Sequence, residues 1–227
     1  MYLRFFKRFF DVVLSLCALL VLSPVLLIIA VLVRRNLGSP VIFHQDRPGK
    51  NEKIFRMYKF RSMTDARDSE GNPLPDAERL TEFGRKLRAT SLDELPELWN
   101  ILKGDMSIVG PRPQLVRDMV FMTPEQRRRH TVRPGLTGWA QVNGRNILRW
   151  EDRLKYDLEY IERVSLREDI KIIFLTVKCL FFHDDVATDG MATSEDLGDY
   201  LLRVGEVSRE EYAERQEEAR RELAAWR

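Results

Sequence analysis

Two adjacent carboxylates stand at the start of a predicted helix, within the stretch "RATSLDELPELWN" (88–100). Asp93 and Glu94 open an apolar pattern that predicts a helix over 92–103. Ser91 and Glu94 have the spacing of a capping box, in which Glu94 would only satisfy main-chain N–H groups. The free N–H groups and dipole of a helix N-terminus also favour bound anions, including phosphate. Taken alone, this stretch favours capping over catalysis.

Arginines placed singly in turns change that balance. Two turn-rich stretches, "GDMSIVGPRP" (104–113) and "RPGLTGWAQVNGRN" (133–146), follow the acidic pair. A rigidly held arginine beside glycine suits bidentate phosphate binding, and the N–H groups of turns can surround an anion. A solvated charged surface is the alternative, but Pro/Gly turns are a poor design for solubility alone. The candidate phosphate-binding arginines are Arg88, Arg112, Arg133 and Arg145.

The composition limits the fold and excludes several classes of protein. The chain has 227 residues, 44% of them hydrophobic, which is enough for one core with an appendage. A formal charge of +2 says little about partners, and we expect no nucleic acid among them. Cys17 and Cys179 make no disulfide framework and suit a reducing compartment. The sequence has no glycine-rich nucleotide-binding motif, no D-x-D pair, and no histidine spacing typical of a metal site.

An uncharged segment of 22 residues, "VVLSLCALLVLSPVLLIIAVLV" (12–33), is long enough to cross a bilayer, for which about 20 apolar residues suffice. Ser23-Pro24 lies in its middle, where proline removes a main-chain hydrogen bond. Basic residues flank both ends, and positive charge favours the cytoplasmic side. We therefore predict a re-entrant helix-break-helix anchor at 1–36, held in one leaflet, with its break at Ser23 and Pro24. A proline-kinked single span is the alternative.

The remaining pattern predicts an α+β fold, mostly helical with a short β-hairpin. Two strands joined by a Pro-Gly turn are predicted within 40–60, and the apolar segment 170–182 is either a core helix or a helix lying in the membrane interface. A capping box at Ser208 and Glu211 opens a charged tail helix that docks on the domain or on a second copy in a homodimer. The other predicted helices cover 114–129, 150–163 and 167–182. The predicted domains are a membrane helix at 1–36, a cytosolic catalytic domain at 37–190 and a helical extension at 191–227.

Three stretches together resemble the signatures of a known family. "KFRSM" (59–63), "SLDELPELWNILKGDMSIVGPRP" (91–113) and "RPGLTGWAQVNGRN" (133–146) are similar to the motifs of the bacterial sugar transferases, the monotopic phosphoglycosyl transferases. "KRFFD" (7–11) and the Ser-Pro pair resemble that family's re-entrant helix. The resemblance covers roughly residues 4 to 190, and the small size is similar to the minimal PglC type of N-glycosylation pathways. The tail goes beyond that minimal core.

The resemblance implies a reaction at the cytoplasmic face of the bacterial inner membrane. A UDP-sugar, for which the PglC type suggests an N-acetylated or diacetamido sugar, would give its sugar-1-phosphate to undecaprenyl phosphate and release UMP. Asp93 would attack the phosphorus next to the sugar and form an aspartyl-phosphosugar intermediate. Mg²⁺ would bridge Asp93, Glu94 and the diphosphate, with Glu94 acting as metal ligand, base or cap. The substrate-binding residues implied are Arg88, Arg112, Arg133 and Arg145, with Lys59 and Arg61 as further candidates.

Two other functions are consistent with the residues themselves. A membrane-anchored module could use its arginines to bind an anionic lipid or polyanion, in which case Asp93 and Glu94 would not matter. A glycosyl transferase could move the sugar without its phosphate, and it would release UDP instead of UMP. The released nucleotide distinguishes these functions.

Overall fold

The computed structural model describes residues 2–144, 148–181 and 195–227. The fold is α+β and mostly helical, as predicted, with two small two-stranded sheets in the described part of the chain. A π-helical turn, Tyr2–Phe6, precedes the first helix, and 3₁₀ turns cover Lys50–Glu52, Leu92–Glu94 and Arg128–Thr131. The elements in chain order are α1 (Lys7–Leu37), β1 (Ile42–Pro48), β2 (Ile54–Phe60), α2 (Asp76–Arg79), α3 (Glu82–Ala89), α4 (Glu97–Lys103), β3 (Ser107–Val109), α5 (Val116–Met119), α6 (Pro124–Arg127), β4 (Gly135–Thr137), α7 (Trp139–Val142), α8 (Trp150–Arg163), α9 (Leu166–Phe181), α10 (Leu197–Val204) and α11 (Arg209–Trp226).

Helix α1 runs without interruption through Pro24, so the predicted break at Ser23 and Pro24 does not divide the helix in two. Pro24 has no N–H group to donate to the carbonyl of Leu20, four residues earlier. The Ser23 hydroxyl donates to that carbonyl instead, at 2.8 Å. This replacement hydrogen bond lets the helix continue through the proline. Among the described residues, α1 is the one helix that is long and apolar enough to cross a membrane.

The rest of the protein covers one side of α1 from end to end. Near its start, Asp11 accepts hydrogen bonds from Ser107 Oγ at 3.0 Å and from Ile108 N–H at 2.9 Å. Farther along, Ile29 and Val33 are buried against residues of β2 and α3. Positions 11 and 33 are about 33 Å apart along a helix. The opposite side of α1 is apolar and exposed, with Phe9, Leu20, Val21, Leu27 and Ile28 between 58% and 75% exposed.

The hairpin and two long helices agree with the prediction. β1 and β2 pair antiparallel, with Ile42 opposite Phe60 and Pro48 opposite Ile54. α8 has the predicted bounds, and α9 differs from the predicted 167–182 by one residue at each end. Ile172 on α9 is fully buried, as a core helix requires, while Phe174 is 69% exposed. That α9 also lies in the membrane interface stays a prediction.

The predicted helix over 114–129 is wrong, because the structure divides it into α5 and α6. The first segment ends at Met119, and Thr123 caps the second, since its hydroxyl accepts from Gln126 N–H while the Gln126 side chain accepts from Thr123 N–H. Pro124 then occupies the first turn of α6, where its missing N–H group costs nothing. A local capping box therefore restarts the helix.

A short parallel sheet brings together two stretches that the sequence had left as turns. β3 and β4 pair with Ser107 opposite Gly135 and Val109 opposite Thr137. The backbones approach so closely that a Cβ on Gly135 would lie 2.1 Å from Gly110 N. This contact holds the segment that carries Arg112 against the segment that follows Arg133.

The charged tail docks on its own chain. Leu197 and Ala219 are buried in one cluster with α5 and α8 residues, and Leu197 N–H donates to Asp118 at 2.9 Å. Tyr212 packs on Phe121, with ring centroids 5.7 Å apart. The apolar stripe of α11 thus packs on this domain, and the predicted homodimer stays a prediction. The predicted domain boundary at 190/191 lies outside the described residues.

Candidate active site

The acidic pair lies on a 3₁₀ turn that leads into α4. Ser91 adopts a left-handed backbone conformation (φ 54°, ψ 16°), which turns the chain after α3. Its side chain makes no capping hydrogen bond, and Pro96 sits at the N-cap of α4. The capping-box interpretation of Glu94 is therefore wrong, and the Glu94 side chain is directed to other partners.

Glu94 is held by two cations. Its Oε1 accepts from Lys59 Nζ at 2.8 Å and from Arg112 Nη2 at 2.7 Å. Burial alone would raise the pKa of Glu94, but the charges and hydrogen bonds of Arg112 and Lys59 outweigh it and hold the pKa well below its ordinary value. Glu94 is thus an ionised carboxylate in a fixed position.

Asp93 has a different environment from its neighbour. Asp93 is 7% exposed. Among the described residues, burial and neighbouring charges set the pKa of its carboxylate, and hydrogen bonds do not contribute. Burial raises the pKa of Asp93 to about 6, the charge of Glu94 adds to the rise, and the cations Lys59, Arg88 and Arg112 oppose it. A carboxylate without tight partners keeps its oxygen lone pairs available for bonding to a substrate or a metal ion.

A third carboxylate, which sequence reasoning missed, belongs to the same cluster. Glu97 lies one helical turn after Glu94 and is 2% exposed, with its Oε1 3.1 Å from Lys59 Nζ. Burial raises the pKa of Glu97 to about 7; the Lys59 charge opposes the rise and the Glu94 charge adds to it. The i, i+3 spacing of the two glutamates in "DELPE" was the available signal. One ammonium group, that of Lys59, therefore serves two buried acids.

Arg88 reaches the site from the end of α3. Its Nε donates to Ser62 Oγ at 2.9 Å, which fixes the guanidinium, and its positive charge acts on Asp93. Ser62 belongs to the "KFRSM" stretch, but its role as a positioning residue was not predicted from the sequence. Arg88 thus lies near the acidic pair, and its role in substrate binding stays a prediction.

A buried ion pair holds the main chain at Arg112 in place. Arg129 Nη2 donates to the Arg112 carbonyl at 2.6 Å, and Arg129 pairs with Asp157 Oδ2 through Nε at 2.9 Å and Nη2 at 2.7 Å. The side chains of Arg129 and Asp157 are 1% and 2% exposed. Sequence reasoning missed both residues, because their pairing joins segments that are 28 positions apart.

The other predicted arginines are placed differently. Arg61 donates to the carbonyls of Ser39 and Met63, where it ties down a loop. Arg133 donates to the Gly104 carbonyl, at the far end of α4 from Asp93. Arg145 lies outside the described residues. The structure thus brings Lys59, Arg88 and Arg112 to the acids, and Arg61 and Arg133 make other contacts.

The donor set fits Mg²⁺ only in part. Asp93 and Glu94 supply hard oxygen donors, and Asp93 is free of competing hydrogen bonds from the described residues. Within the described residues, no group of three or more metal-binding side chains is assembled. Mg²⁺ commonly binds one or two carboxylates together with substrate phosphates, so a bound diphosphate would have to complete the coordination.

The sequence that forms these elements also matches a known protein family. The model of the bacterial sugar transferase family matches residues 2–183, a range that includes α1, the acidic pair and every cation of the site. The chain belongs to the bacterial sugar transferase family. α10 and α11 lie beyond the matched range, so this bacterial sugar transferase carries a docked extension.

Several relatives have informative names. EpsL of Bacillus subtilis (strain 168), an uncharacterized sugar transferase, is 47% identical over 189 residues, which cover 83% of this chain and 94% of EpsL. The UDP-glucose:undecaprenyl-phosphate glucose-1-phosphate transferase of Escherichia coli (strain K12) is 44% identical over 77% of this chain and 40% of that protein. The undecaprenyl-phosphate galactose phosphotransferase of Salmonella typhimurium is 37% identical over 80% of this chain and 41% of that protein. This bacterial sugar transferase therefore spans about two fifths of the latter two relatives.

Proposed function

We propose that this protein is a phosphoglycosyl transferase that moves sugar-1-phosphate from a UDP-sugar to undecaprenyl phosphate and releases UMP. The observation that carries the proposal is the contrast within the acidic pair. Glu94 is ionised and held by Lys59 and Arg112, while Asp93 beside it is buried and free to react. Relatives that share 37% to 44% of the aligned residues are named for sugar-phosphate transfer to undecaprenyl phosphate.

The reaction takes two displacements at one phosphorus atom. An oxygen of ionised Asp93 attacks the phosphorus that carries the sugar, the bond from that phosphorus to the bridging oxygen breaks, and UMP leaves with the bond's electron pair. An oxygen of the polyprenol phosphate then attacks the same phosphorus and displaces Asp93 as a carboxylate. Charge and atoms balance without an added oxidant, reductant or water molecule. Splitting the transfer in this way gives ping-pong kinetics.

The cations of the site neutralise the charge that gathers during both displacements. Arg112, in the segment after β3, and Arg88, in α3, have guanidinium groups whose N–H fork matches phosphate oxygens. Lys59 keeps Glu94 and Glu97 from repelling the anionic substrate. Asp93 and Glu94 would hold Mg²⁺, which when bound supplies further neutralisation of the diphosphate.

We propose that α1 is held in one leaflet, with both of its ends on the same side of the membrane. A helix that crossed the bilayer would carry one end away from a domain on the cytoplasmic side. Asp11 and Val33, about 33 Å apart along α1, instead pack on the same domain. That domain carries many charged side chains, which are costly to place in the hydrocarbon core of a membrane. The exposed apolar face of α9, at Ile170, Phe174 and Val177, supplies a second lipid-facing surface. We assign the protein to the cytoplasmic face of the bacterial inner membrane, where it meets both substrates.

The released nucleotide tests the function directly. Purified protein in neutral detergent is incubated with Mg²⁺, undecaprenyl phosphate and a panel of UDP-sugars that includes glucose, galactose and N-acetylated sugars, and the nucleotide is identified by chromatography. UMP with at least one sugar supports the proposal. UDP would instead support transfer of the sugar alone, and no nucleotide from any donor would support an anion-binding module.

A further inference from the structure

A second basic cavity lies at the opposite end of α4 from the acidic pair. Its volume is about 420 Å³, within the usual range for small-molecule sites. The start of α1, the hairpin turn and the segment before β4 enclose it. Its charged lining consists of Lys7, Arg8, Asp11, Lys50 and Arg133, and Leu3, Ser107, Thr131 and Val132 complete the wall.

The positive charge of this cavity is only partly balanced. Asp169 pairs with Lys7 at 2.5 Å, and Asp11 supplies a second carboxylate. The charge of Asp105 also acts on Arg8, but Asp105 is itself paired with Lys103 at 3.0 Å. In the described part of the chain, the guanidiniums of Arg8 and Arg133 donate to main-chain carbonyls at the end of α4 and not to carboxylates. The partial negative charge of a helix end, about half a unit, does not neutralise two guanidiniums. The cavity thus keeps an excess of positive charge.

Capping of α4 explains only part of this arrangement. Arg8 uses Nη1 and Nη2 for the carbonyls of Ile101 and Leu102. Arg133 binds the Gly104 carbonyl through Nε, and a guanidinium has four further N–H donors on its two terminal nitrogens. Lys50 is exposed at the hairpin turn and lines the same cavity. These donors can hold an anion without giving up the helix cap.

Exposed apolar side chains lie at one edge of the cavity. Leu3 lines the wall and is 46% exposed, and the neighbouring side chains Phe5 and Phe6 are 70% and 46% exposed. Apolar side chains next to cations are typical of the headgroup level of a membrane. The carbonyls bound by Arg8 lie seven and eight positions after Glu94, about 10 to 12 Å along α4. An anion here is therefore too far from Asp93 to be the reacting phosphate.

We propose that this cavity binds the phosphate headgroup of an anionic membrane lipid, at a site separate from the active site. The proposal rests on the membrane attachment proposed above. The two candidate lipids share a phosphate group, which would be bound by Lys50 and by the terminal N–H groups of Arg133. Its source is either a bulk phosphodiester lipid or polyprenol phosphate bound before it moves to Asp93. Such a headgroup would set the depth and orientation of α1 at the surface.

The test measures lipid binding in the absence of any sugar nucleotide. Its result can therefore be interpreted even if the protein proves not to be a transferase. The full chain in neutral detergent is titrated with dihexanoylphosphatidylglycerol, farnesyl phosphate, net-neutral dihexanoylphosphatidylcholine or inorganic phosphate. Bound adducts are counted by native mass spectrometry, and the shift in unfolding temperature is followed in parallel. The Lys50→Gln/Arg133→Gln double variant is compared with Lys53→Gln/Arg85→Gln, which removes the same charges from exposed positions outside the cavity.

We expect at least one of the two anionic lipids to bind the wild type and the control variant equally. Binding to the cavity variant should weaken by at least about tenfold, because the variant loses two charged hydrogen-bond donors to the phosphate. Arg133→Lys, which keeps the charge, should retain most of the binding and exclude a folding defect. Preference for farnesyl phosphate would assign the site to the acceptor, and equal or stronger binding of phosphatidylglycerol would assign it to bulk lipid. Equal binding of phosphatidylcholine, equal loss in the control variant, or inorganic phosphate binding as tightly as the lipids would overturn the proposal.

Discussion

Arg112 Nη2 lies 2.7 Å from Glu94 Oε1, and this pair separates the two adjacent acids into different chemical states. The guanidinium keeps Glu94 ionised, and the negative charge of Glu94 in turn raises the pKa of Asp93. The pair is itself placed by Arg129, which binds the Arg112 carbonyl. The environment of Asp93 therefore depends also on Arg129, a buried residue that lies behind Arg112.

The first prediction concerns the pH dependence of the first displacement. Attack requires ionised Asp93, so the rate of UMP release should fall as the pH drops through about 6. In Glu94→Gln the repelling charge is gone, and the pKa of Asp93 should be lower. The acid limb of the rate profile should then move to lower pH, whatever the residual rate. Glu78→Gln, which removes an exposed carboxylate, is the control, and an unmoved limb in Glu94→Gln would contradict the account.

The second prediction concerns the stability contribution of Glu97. Burial raises the folded-state pKa of Glu97 to about 7, above its unfolded value, so the folded state binds the extra proton. Its contribution is favourable below the unfolded pKa and is lost as the pH rises to about 7. Glu97→Gln should therefore flatten the dependence of the unfolding temperature on pH between about 4.5 and 7. Exposed Glu214→Gln should leave that dependence unchanged, and parallel curves for wild type and Glu97→Gln would refute the prediction.

The third prediction concerns the buried pair beneath Arg112. Asp157→Ala leaves the guanidinium of Arg129 buried without its counter-ion, which should cost about 3–5 kcal/mol in the free energy of unfolding. Replacing both residues by apolar ones, as in Arg129→Met/Asp157→Leu, should cost less than the single change. Glu82→Ala, which breaks the exposed pair with Lys86, should change the free energy of unfolding far less, because solvent screens that pair. Denaturant unfolding in detergent provides the comparison, and a smaller loss for Asp157→Ala than for Glu82→Ala would count against this role.

The fourth prediction concerns the path of α1. Leu3→Cys and Asn36→Cys are placed separately in a background in which Cys17 and Cys179 are serine. A membrane-impermeant maleimide should label both positions in inside-out vesicles and neither in intact spheroplasts, because both ends lie on the cytoplasmic side. Labelling of the two positions from opposite sides would establish a crossing helix and exclude the re-entrant anchor.

The local parts of this fold could be read from the sequence. The hairpin, α8 and α9 follow from strand alternation, a Pro-Gly turn and helical periodicity, all of which act over a few residues. β3 and β4 could not be predicted in the same way, because each has three residues and their pairing joins positions 28 apart. Thr123 and Pro124 are the sequence signals for the division between α5 and α6, but the apolar pattern around them favours one continuous helix.

The candidate site was predictable to a similar extent. Asp93, Glu94, Arg88 and Arg112 stand in motifs whose residue types suggest phosphate chemistry. The residues that hold them in place could not be predicted, because the contacts from Glu97 to Lys59 and from Arg129 to Arg112 depend on how distant segments pack. For the same reason, nothing near Arg133 in the sequence indicates that it faces the second cavity at the other end of α4.

Intact-protein mass spectrometry tests the central claim most directly. Wild-type protein is mixed with Mg²⁺ and the UDP-sugar panel, without polyprenol phosphate, and its mass is compared with that of Asp93→Asn. We predict that the wild type gains the mass of one sugar phosphate with its preferred donor, that Asp93→Asn gains none, and that added polyprenol phosphate removes the adduct. No adduct in the wild type, alongside UMP release that still requires polyprenol phosphate, would contradict the role of Asp93 as nucleophile.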